Sequence, residues 1–166
     1  MPYATLQKLC SHYGYRELSQ LLCDENDLLT QDMLLEAVAG DDLTQYNADE
    51  QVAIANALNR ANDALPRQSI FMDSKIGVRY QLPLSASAIT SGPLEECCLA
   101  LTRAYLADDS DNSAEIIENA RKRWIKWLED LAKDMSFIPN ALKVSVGGTE
   151  NKYLTAKPSG LDLSNY

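Results

Sequence analysis

Few side chains in the sequence could carry out catalysis, and their types and spacing fit none of the common catalytic sites. His12 is the only histidine, so one chain cannot offer two imidazoles to a metal ion. The four cysteines are Cys10, Cys23, Cys97 and Cys98, and they lack the C-x-x-C spacing of zinc and redox sites. The sequence also lacks P-loop, dinucleotide-binding, nucleophile-elbow and H-E-x-x-H motifs. We therefore predict a protein that is not an enzyme, has no cofactor and no metal site, and keeps its thiols reduced.

Adjacent acids such as Asp41–Asp42 and Asp108–Asp109 are the remaining candidates for cation binding. The segment DDSDN from 108 to 112 lacks the glycine and the terminal glutamate of a calcium-binding EF-hand loop. We interpret these pairs as solvated loops.

The segment from Arg121 to Trp127, RKRWIKW, combines four cations with two tryptophans, a combination found in proteins that bind nucleic acids. Helical spacing, however, places Trp124 and Trp127 on an apolar stripe, away from the cations. We therefore favour a core helix whose basic side faces solvent or a partner. A regulator that binds nucleic acid through this basic-aromatic face is the alternative function.

The net charge of −9 is concentrated in one part of the chain. Residues 24–50 hold nine acids and neither lysine nor arginine. A chain this acidic is a poor general binder of nucleic acid, because cations that neutralise phosphates supply most of the non-specific affinity. The cations Arg121, Arg123 and Lys126 could instead meet this acidic segment in a neighbouring copy.

The elements that position these residues follow a helical period over most of the chain. Residues from Pro93 to Ala107 should form the central helix of the core, since Arg103 is the only charge after Glu96. The last helix should bury a stripe that extends to Met135. Pro66 should end or kink the helix that begins near residue 47, and residues 67–80 should form a loop or an irregular extended segment. The pattern predicts helices over about 5–13, 15–22, 30–40, 47–65, 93–107 and 113–134.

Two other segments suggest extended structure. In RYQLPL, residues 79–84, alternate side chains of Tyr80, Leu82 and Leu84 should contact the core. Beyond Pro139 the residues alternate with a period of two on both sides of Gly147–Gly148, which indicates a hairpin or a pairing arm. We predict a mainly α fold: a small helical bundle at 1–138, with an extended RYxLPL segment, and a C-terminal arm or β-hairpin at 139–166. The sequence shows neither a signal peptide nor a membrane span.

The order of motifs resembles that of the Mu-type phage head-to-tail adaptor family over about residues 2–138. Its opening, YATLQKLCSHYGYRELSQLL, is similar to the family's first motif, and RYQLPL is similar to RY.LPL. The helix AIANALNRANDAL, the proline-started helix ending in Ala104, Tyr105 and Leu106, and the final helix ARKRWIKWLEDLAKDM follow in the family's order. Residues 36–50 and 66–77 look like insertions relative to that pattern, and the arm has no counterpart.

This resemblance implies a structural virion protein, a head-to-tail adaptor whose copies form a ring, typically dodecameric, under the portal. The ring would extend the DNA channel and join the capsid to the tail. Its partners would be other copies, the portal and a stopper or tail-terminator protein, with DNA passing through unbound and no membrane involved. The protein would lie in the virion neck, after assembly in the host cytoplasm. We expect the arm to become ordered on assembly. We also expect assembly contacts from Arg79, Tyr80, Arg121, Arg123, Lys126, Tyr153 and Leu154.

Overall fold

The computed structural model describes residues 2–23, 28–90, 92–107, 115–133 and 135–144. In these residues the chain is mainly helical, as predicted, and forms seven helices. None of these helices is long and apolar enough to cross a membrane. The helices are α1 Leu6–Tyr13, α2 Tyr15–Leu22, α3 Gln31–Ala39, α4 Ala48–Ile76, α5 Ala86–Thr90, α6 Leu94–Ala107 and α7 Glu115–Ala132.

Helices α3 and α4 begin, and α3 ends, where their capping residues predict. The Thr30 hydroxyl accepts a hydrogen bond from the Met33 N–H at the start of α3, and Gly40 ends that helix in the left-handed conformation at φ 80°. At the start of α4, the Asn47 side chain accepts from the Glu50 N–H while the Glu50 carboxylate accepts from the Asn47 N–H. This reciprocal capping box satisfies two backbone donors that the helix itself leaves unpaired.

Helix α4 continues through Pro66 to Ile76, so the prediction of a loop or irregular extended segment at 67–80 is wrong for its first ten residues. Pro66 lacks an N–H and costs the helix one hydrogen bond, but the turns on either side are anchored by buried side chains. Leu65, Met72 and Ile76 are all buried. Packing against the rest of the bundle therefore outweighs the local preference of proline.

Ser69 explains why the sequence pattern concealed this helix. It occupies the position four residues after Leu65 where an apolar side chain would reveal the period, yet it is buried. Its hydroxyl donates to the Leu65 carbonyl at 2.9 Å and accepts from the Tyr3 N–H at 3.0 Å. A polar residue with both bonds satisfied thus continues the buried stripe.

The prediction that α6 is the central helix of the core is confirmed. It packs on α4, α7, α2 and α5, and most of its residues are buried. Helices α4 and α7 also contact each other, whereas α3 packs on α2 and α4. Helix α3 therefore packs mainly on α2 and α4, and the basic helix α7 packs mainly on α6 and α4.

Helix α7 buries Ile117, Leu128 and Leu131, while Trp124 and Trp127 are half-buried and pack against the core. The predicted stripe reaches too far, because Met135 is 74% exposed. The helix ends at Ala132, so Met135 is no longer in phase with its buried face. The predicted start of this helix, 112–114, lies outside the described residues.

The RYQLPL segment is anchored through Tyr80, which is buried and forms an antiparallel bridge with Lys143. Leu84 packs partly against the core, but Leu82 is 41% exposed, contrary to the predicted alternation. The chain bends at Leu82 and Pro83, which are joined by a cis peptide, so the period of two is interrupted. Helix α5, which follows directly, was not predicted, and the hairpin around Gly147–Gly148 lies outside the described residues.

Candidate assembly surfaces

Arg79 joins the RYQLPL segment to the end of α7. Its Nε donates a hydrogen bond to the Ala132 carbonyl at 3.2 Å, in the last turn of the helix, where carbonyls lack helical partners and the helix dipole favours a cation. Its own carbonyl accepts from the Val144 N–H at 2.7 Å. Arg79 thus links the RYQLPL segment to α7 and to Val144 within one chain.

Tyr80 is likewise held inside the molecule. Only 2% of its surface is exposed, and its hydroxyl accepts a hydrogen bond from the Ile138 N–H at 3.1 Å. This bond and the Arg79 contacts hold residues 135–144 against the helical bundle. Residues 142 and 144 thus pair with 79–81 within one chain, and ordering of the arm on assembly stays a prediction.

The cations of α7 divide into paired and unpaired groups. Glu118 is within 3.4 Å of the Arg121 guanidinium and 3.9 Å of the Lys122 ammonium. Such exposed pairs contribute little stability, about 0–1 kcal/mol. Among the described residues, no carboxylate pairs with Arg123 or Lys126, which are exposed. The structure therefore leaves these two cations as the most available basic groups of the helix.

The two tryptophans do not form a stacking platform with those cations. The Trp124 and Trp127 rings meet edge to face with their centroids 5.6 Å apart and pack against the core. The Arg123 guanidinium lies 5.7 Å from the Trp124 ring centroid. Bases could not stack on these rings as they do on exposed aromatic side chains.

Several of the described acids from 32 to 50 accept hydrogen bonds from nearby residues in turns and at a helix end. The Asp42 carboxylate accepts from the Thr44 N–H and hydroxyl at 3.0 and 2.9 Å, and these bonds lower the pKa of Asp42. Glu36 accepts from the Tyr46 hydroxyl at 2.7 Å. No lysine or arginine pairs with these acids within the described part of the chain. Contact between α7 and the acids of a neighbouring copy remains a prediction.

Three of the four cysteines are buried core residues. Cys97 and Cys98 are fully buried in α6, as is Cys10 in α1. Burial raises the pKa of Cys10 to about 11 and also raises the pKa of Cys97. Because the thiolate is the reactive form of cysteine, these environments suppress nucleophilic chemistry. Among the described residues, no group of His, Cys, Asp and Glu is arranged to hold a metal ion.

Two polar contacts between distant parts of the chain were not predicted. The Tyr3 hydroxyl donates to the Asp73 carboxylate, and burial together with this carboxylate raises the pKa of Tyr3 far above its usual range. The Arg103 guanidinium donates to Glu17 at 2.5 Å and lies 4.5 Å from the Tyr13 ring centroid. In the sequence, the position of Arg103 as a single cation in an otherwise apolar stretch indicated the second contact. The sequence did not identify Glu17 and Tyr13 as its partners.

Of the predicted assembly residues, the structure brings Arg79 and Tyr80 together with 135–144, and it places Arg121, Arg123 and Lys126 along α7. Tyr153 and Leu154 lie outside the described residues. Residues 3–146 match the family model described as bacteriophage Mu, Gp36. A search of the curated proteins found no match.

Proposed function

The chain belongs to the bacteriophage Mu Gp36 family, and we propose on that basis that it is a structural protein of the phage particle. More specifically, we propose a head-to-tail adaptor, copies of which form a ring under the portal. Such a ring continues the DNA channel from the capsid and offers a surface to the stopper or tail-terminator protein. The subunit assembles in the host cytoplasm and ends in the neck of the virion.

The observation that carries this proposal is the extent of the family match. It runs from residue 3 to residue 146 and so includes all seven described helices and the 79–81 pairing with 142–144. The order of motifs within it, RYQLPL followed by a proline-started helix, supports the adaptor role by resemblance.

The distribution of charge is compatible with a ring. Copies in a ring meet through heterologous contacts, in which two different surfaces of the subunit face each other. The exposed cations Arg123 and Lys126 lie on α7, and exposed acids such as Asp41 and Asp49 lie between α3 and the first turn of α4, so the subunit offers surfaces of opposite charge. Acidic groups that line a channel would also repel DNA and let it pass without binding.

The regulator that binds nucleic acid is less well supported. Arg121 and Lys122 share Glu118, and the tryptophans pack inward, so Arg123 and Lys126 would have to supply most of the phosphate contacts. Binding of duplex DNA at low salt, weakened by reversal of these two charges, would favour this alternative.

The adaptor role is tested by deleting the gene from the producing phage and supplying it in trans. We expect filled capsids and free tails without the gene, and tailed infectious particles when the wild-type chain is supplied. The double variant Arg123→Glu with Lys126→Glu should restore fewer particles, because it removes the available cations of α7.

The matched control is Arg16→Glu with Arg67→Glu, which makes the same change in net charge at exposed positions on α2 and α4 and should restore particles fully. Normal yields of tailed infectious particles from the deletion strain would refute the adaptor role.

A further inference from the structure

A cavity of about 340 Å³ lies between the start of the chain, the second half of α4 and the segment that leads into α5. Its walls are mostly apolar, but one of them carries a carboxylate. The lining residues are Tyr3, Asp73, Pro83, Leu84, Ala86 and Ile89. Pro83 and Ala86 are exposed, so the cavity opens to solvent on their side. A long side chain from another molecule can therefore enter it.

The carboxylate of Asp73 is only partly satisfied within the chain. One of its oxygens accepts a hydrogen bond from the Tyr3 hydroxyl, and the residue is half-buried. Among the residues that the structure describes, no lysine or arginine pairs with Asp73. A carboxylate that is partly removed from water attracts a cation more strongly than an exposed one, because the effective dielectric constant around it is lower. Asp73 is therefore a stronger partner for a cation than exposed acids such as Asp41 and Asp49.

An apolar cavity with one carboxylate fits the side chain of a lysine. Lysine lays its four-carbon stem along apolar surface and keeps its ammonium group at a polar site. The stem would contact Pro83, Leu84 and Ile89, and the second oxygen of Asp73 would accept from the ammonium group. Arginine fits less well, because its guanidinium favours two parallel hydrogen bonds to a carboxylate and the Tyr3 hydroxyl already occupies one oxygen.

Lys126 of α7 is available to supply this group. It is exposed, and within the described part of the chain it makes neither an ion pair nor a contact with an aromatic ring. The other cations of the same helix are engaged. Arg121 and Lys122 share Glu118, and Arg123 lies beside the Trp124 ring.

The cavity of one chain faces away from the α7 of that chain. Gln68 and Phe71 of α4 line a cleft together with Arg121 and Ile125 of α7, so this side of α4 is turned towards α7. Asp73 follows Phe71 by two residues and, at about 100° per residue, lies about 200° around the helix from it. The carboxylate and α7 are thus on opposite sides of α4, and a second copy is needed to bring them together.

We propose that the cavity at Asp73 receives the side chain of Lys126 from a second copy of this chain. The contact rests on the proposed ring for its setting, and it names the residues through which two copies of that ring meet. It joins two different surfaces of the subunit, as a ring requires. Two copies that exchanged the contact reciprocally would instead form a closed dimer, so the experiment must separate these arrangements.

Cross-linking of the full-length chain tests the contact. One variant carries Ala86→Cys at the rim of the cavity, and a second carries Glu129→Cys, three residues after Lys126; both positions are exposed. Each also carries Cys23→Ser, because Cys23 is the native cysteine that is not fully buried. The two purified chains are mixed at increasing concentration and treated with a short bismaleimide. We expect mass spectrometry to find a link between positions 86 and 129, which in this mixture can only join two chains.

Neutral variants show whether the ion pair holds the two copies together. Lys126→Gln and Asp73→Asn should each lower the yield of the 86–129 link about tenfold, because either change leaves the other partner uncompensated. The two changes combined should lower it no further, since both remove the same interaction. Asp73→Asn keeps an oxygen that can accept from Tyr3 and so preserves the cavity. Lys133→Gln and Asp49→Asn, at exposed positions, are the matched controls and should leave the yield unchanged.

Absence of the 86–129 link at every concentration would overturn the proposal. A yield that falls with Asp49→Asn or Lys133→Gln but not with Asp73→Asn would overturn it as well. A chain that carries both engineered cysteines tests the ring separately. Linked oligomers larger than a dimer are expected for a ring, whereas dimers alone that still depend on Asp73 and Lys126 would support the cavity contact and contradict the ring.

Discussion

Arg103, the only charged residue of α6 after Glu96, is held by groups from the first two helices. Glu17 of α2 accepts its Nε–H, and the ring of Tyr13 at the end of α1 lies beneath its guanidinium. The Arg103 side chain is only 20% exposed, so water cannot fully replace these partners. The contact therefore ties the N-terminal helices to the core helix.

Replacing Glu17 with glutamine should weaken this tie. We expect Glu17→Gln to lower the free energy of unfolding by about 1.5–3 kcal/mol, the range for hydrogen bonds to charged groups. Urea denaturation measures the change. Glu129→Gln, at an exposed position of α7, is the control and should be near neutral; an equal loss in both variants would contradict the assigned role of the pair.

Cys10 should make the stability depend on pH in the alkaline range. Burial raises its pKa from 9.0 to about 11, so between these values the unfolded chain loses this proton while the folded chain keeps it. The stabilising contribution is complete below pH 9 and is lost as the pH rises towards 11. Cys10→Ala should reduce the slope of unfolding free energy against pH by about 1.4 kcal/mol per pH unit in that window.

Thermal or urea unfolding at several pH values measures that slope in the wild type and in Cys10→Ala. The other buried thiols and Tyr3 titrate in both proteins, so the comparison isolates Cys10. Identical slopes would show that this thiol ionises in the folded chain as it does in the unfolded one.

At the scale of elements, the second half of α4 is the least expected feature and is open to a direct test. Met72 is fully buried, whereas Ile70, two residues earlier, is 68% exposed. Met72→Ala should cost about 2–5 kcal/mol of unfolding free energy, as do other large-to-small core substitutions. Ile70→Ala is the matched control and should cost far less; similar costs at both positions would contradict the helical phase after Pro66.

The sequence predicted the helices whose ends carry capping signals and whose buried faces are apolar. The Asn47–Glu50 capping box and the apolar run of α6 are examples in which local and tertiary preferences agree. The prediction from the sequence was wrong after Pro66, where Ser69 interrupts the apolar period. It was also wrong at Leu82, where a bend interrupts the alternation of side chains. In both places, contacts between residues far apart in sequence decide the structure.

The same distinction applies to the candidate assembly residues. Their positions on α7 followed from helical spacing, which is a local property. The partners of Arg79 and Tyr80, the Ala132 carbonyl and the Ile138 N–H, lie more than fifty residues away and left no local pattern. The basic side of α7 could therefore be predicted from the sequence, whereas the anchoring of residues 135–144 by the RYQLPL segment could not.

At the scale of the whole molecule, the described cations of α7 and the described acids of residues 32–50 lie on different elements, and three of the four thiols are buried. These features are compatible with the proposed subunit, which would contact its neighbours through charged surfaces. Membership of the bacteriophage Mu Gp36 family gives this arrangement its most direct interpretation, a component of the phage particle. The adaptor ring under the portal is the central proposal for that component.

Electron microscopy of portal-bearing capsids tests this proposal most directly. Capsids from a strain lacking the gene are imaged before and after addition of the purified protein. We predict ring-shaped density beneath the portal only after addition, with one rod of roughly 40 Å per subunit for the 29-residue α4. Portal vertices that stay unchanged after addition, with the protein recovered free in solution, would contradict the account.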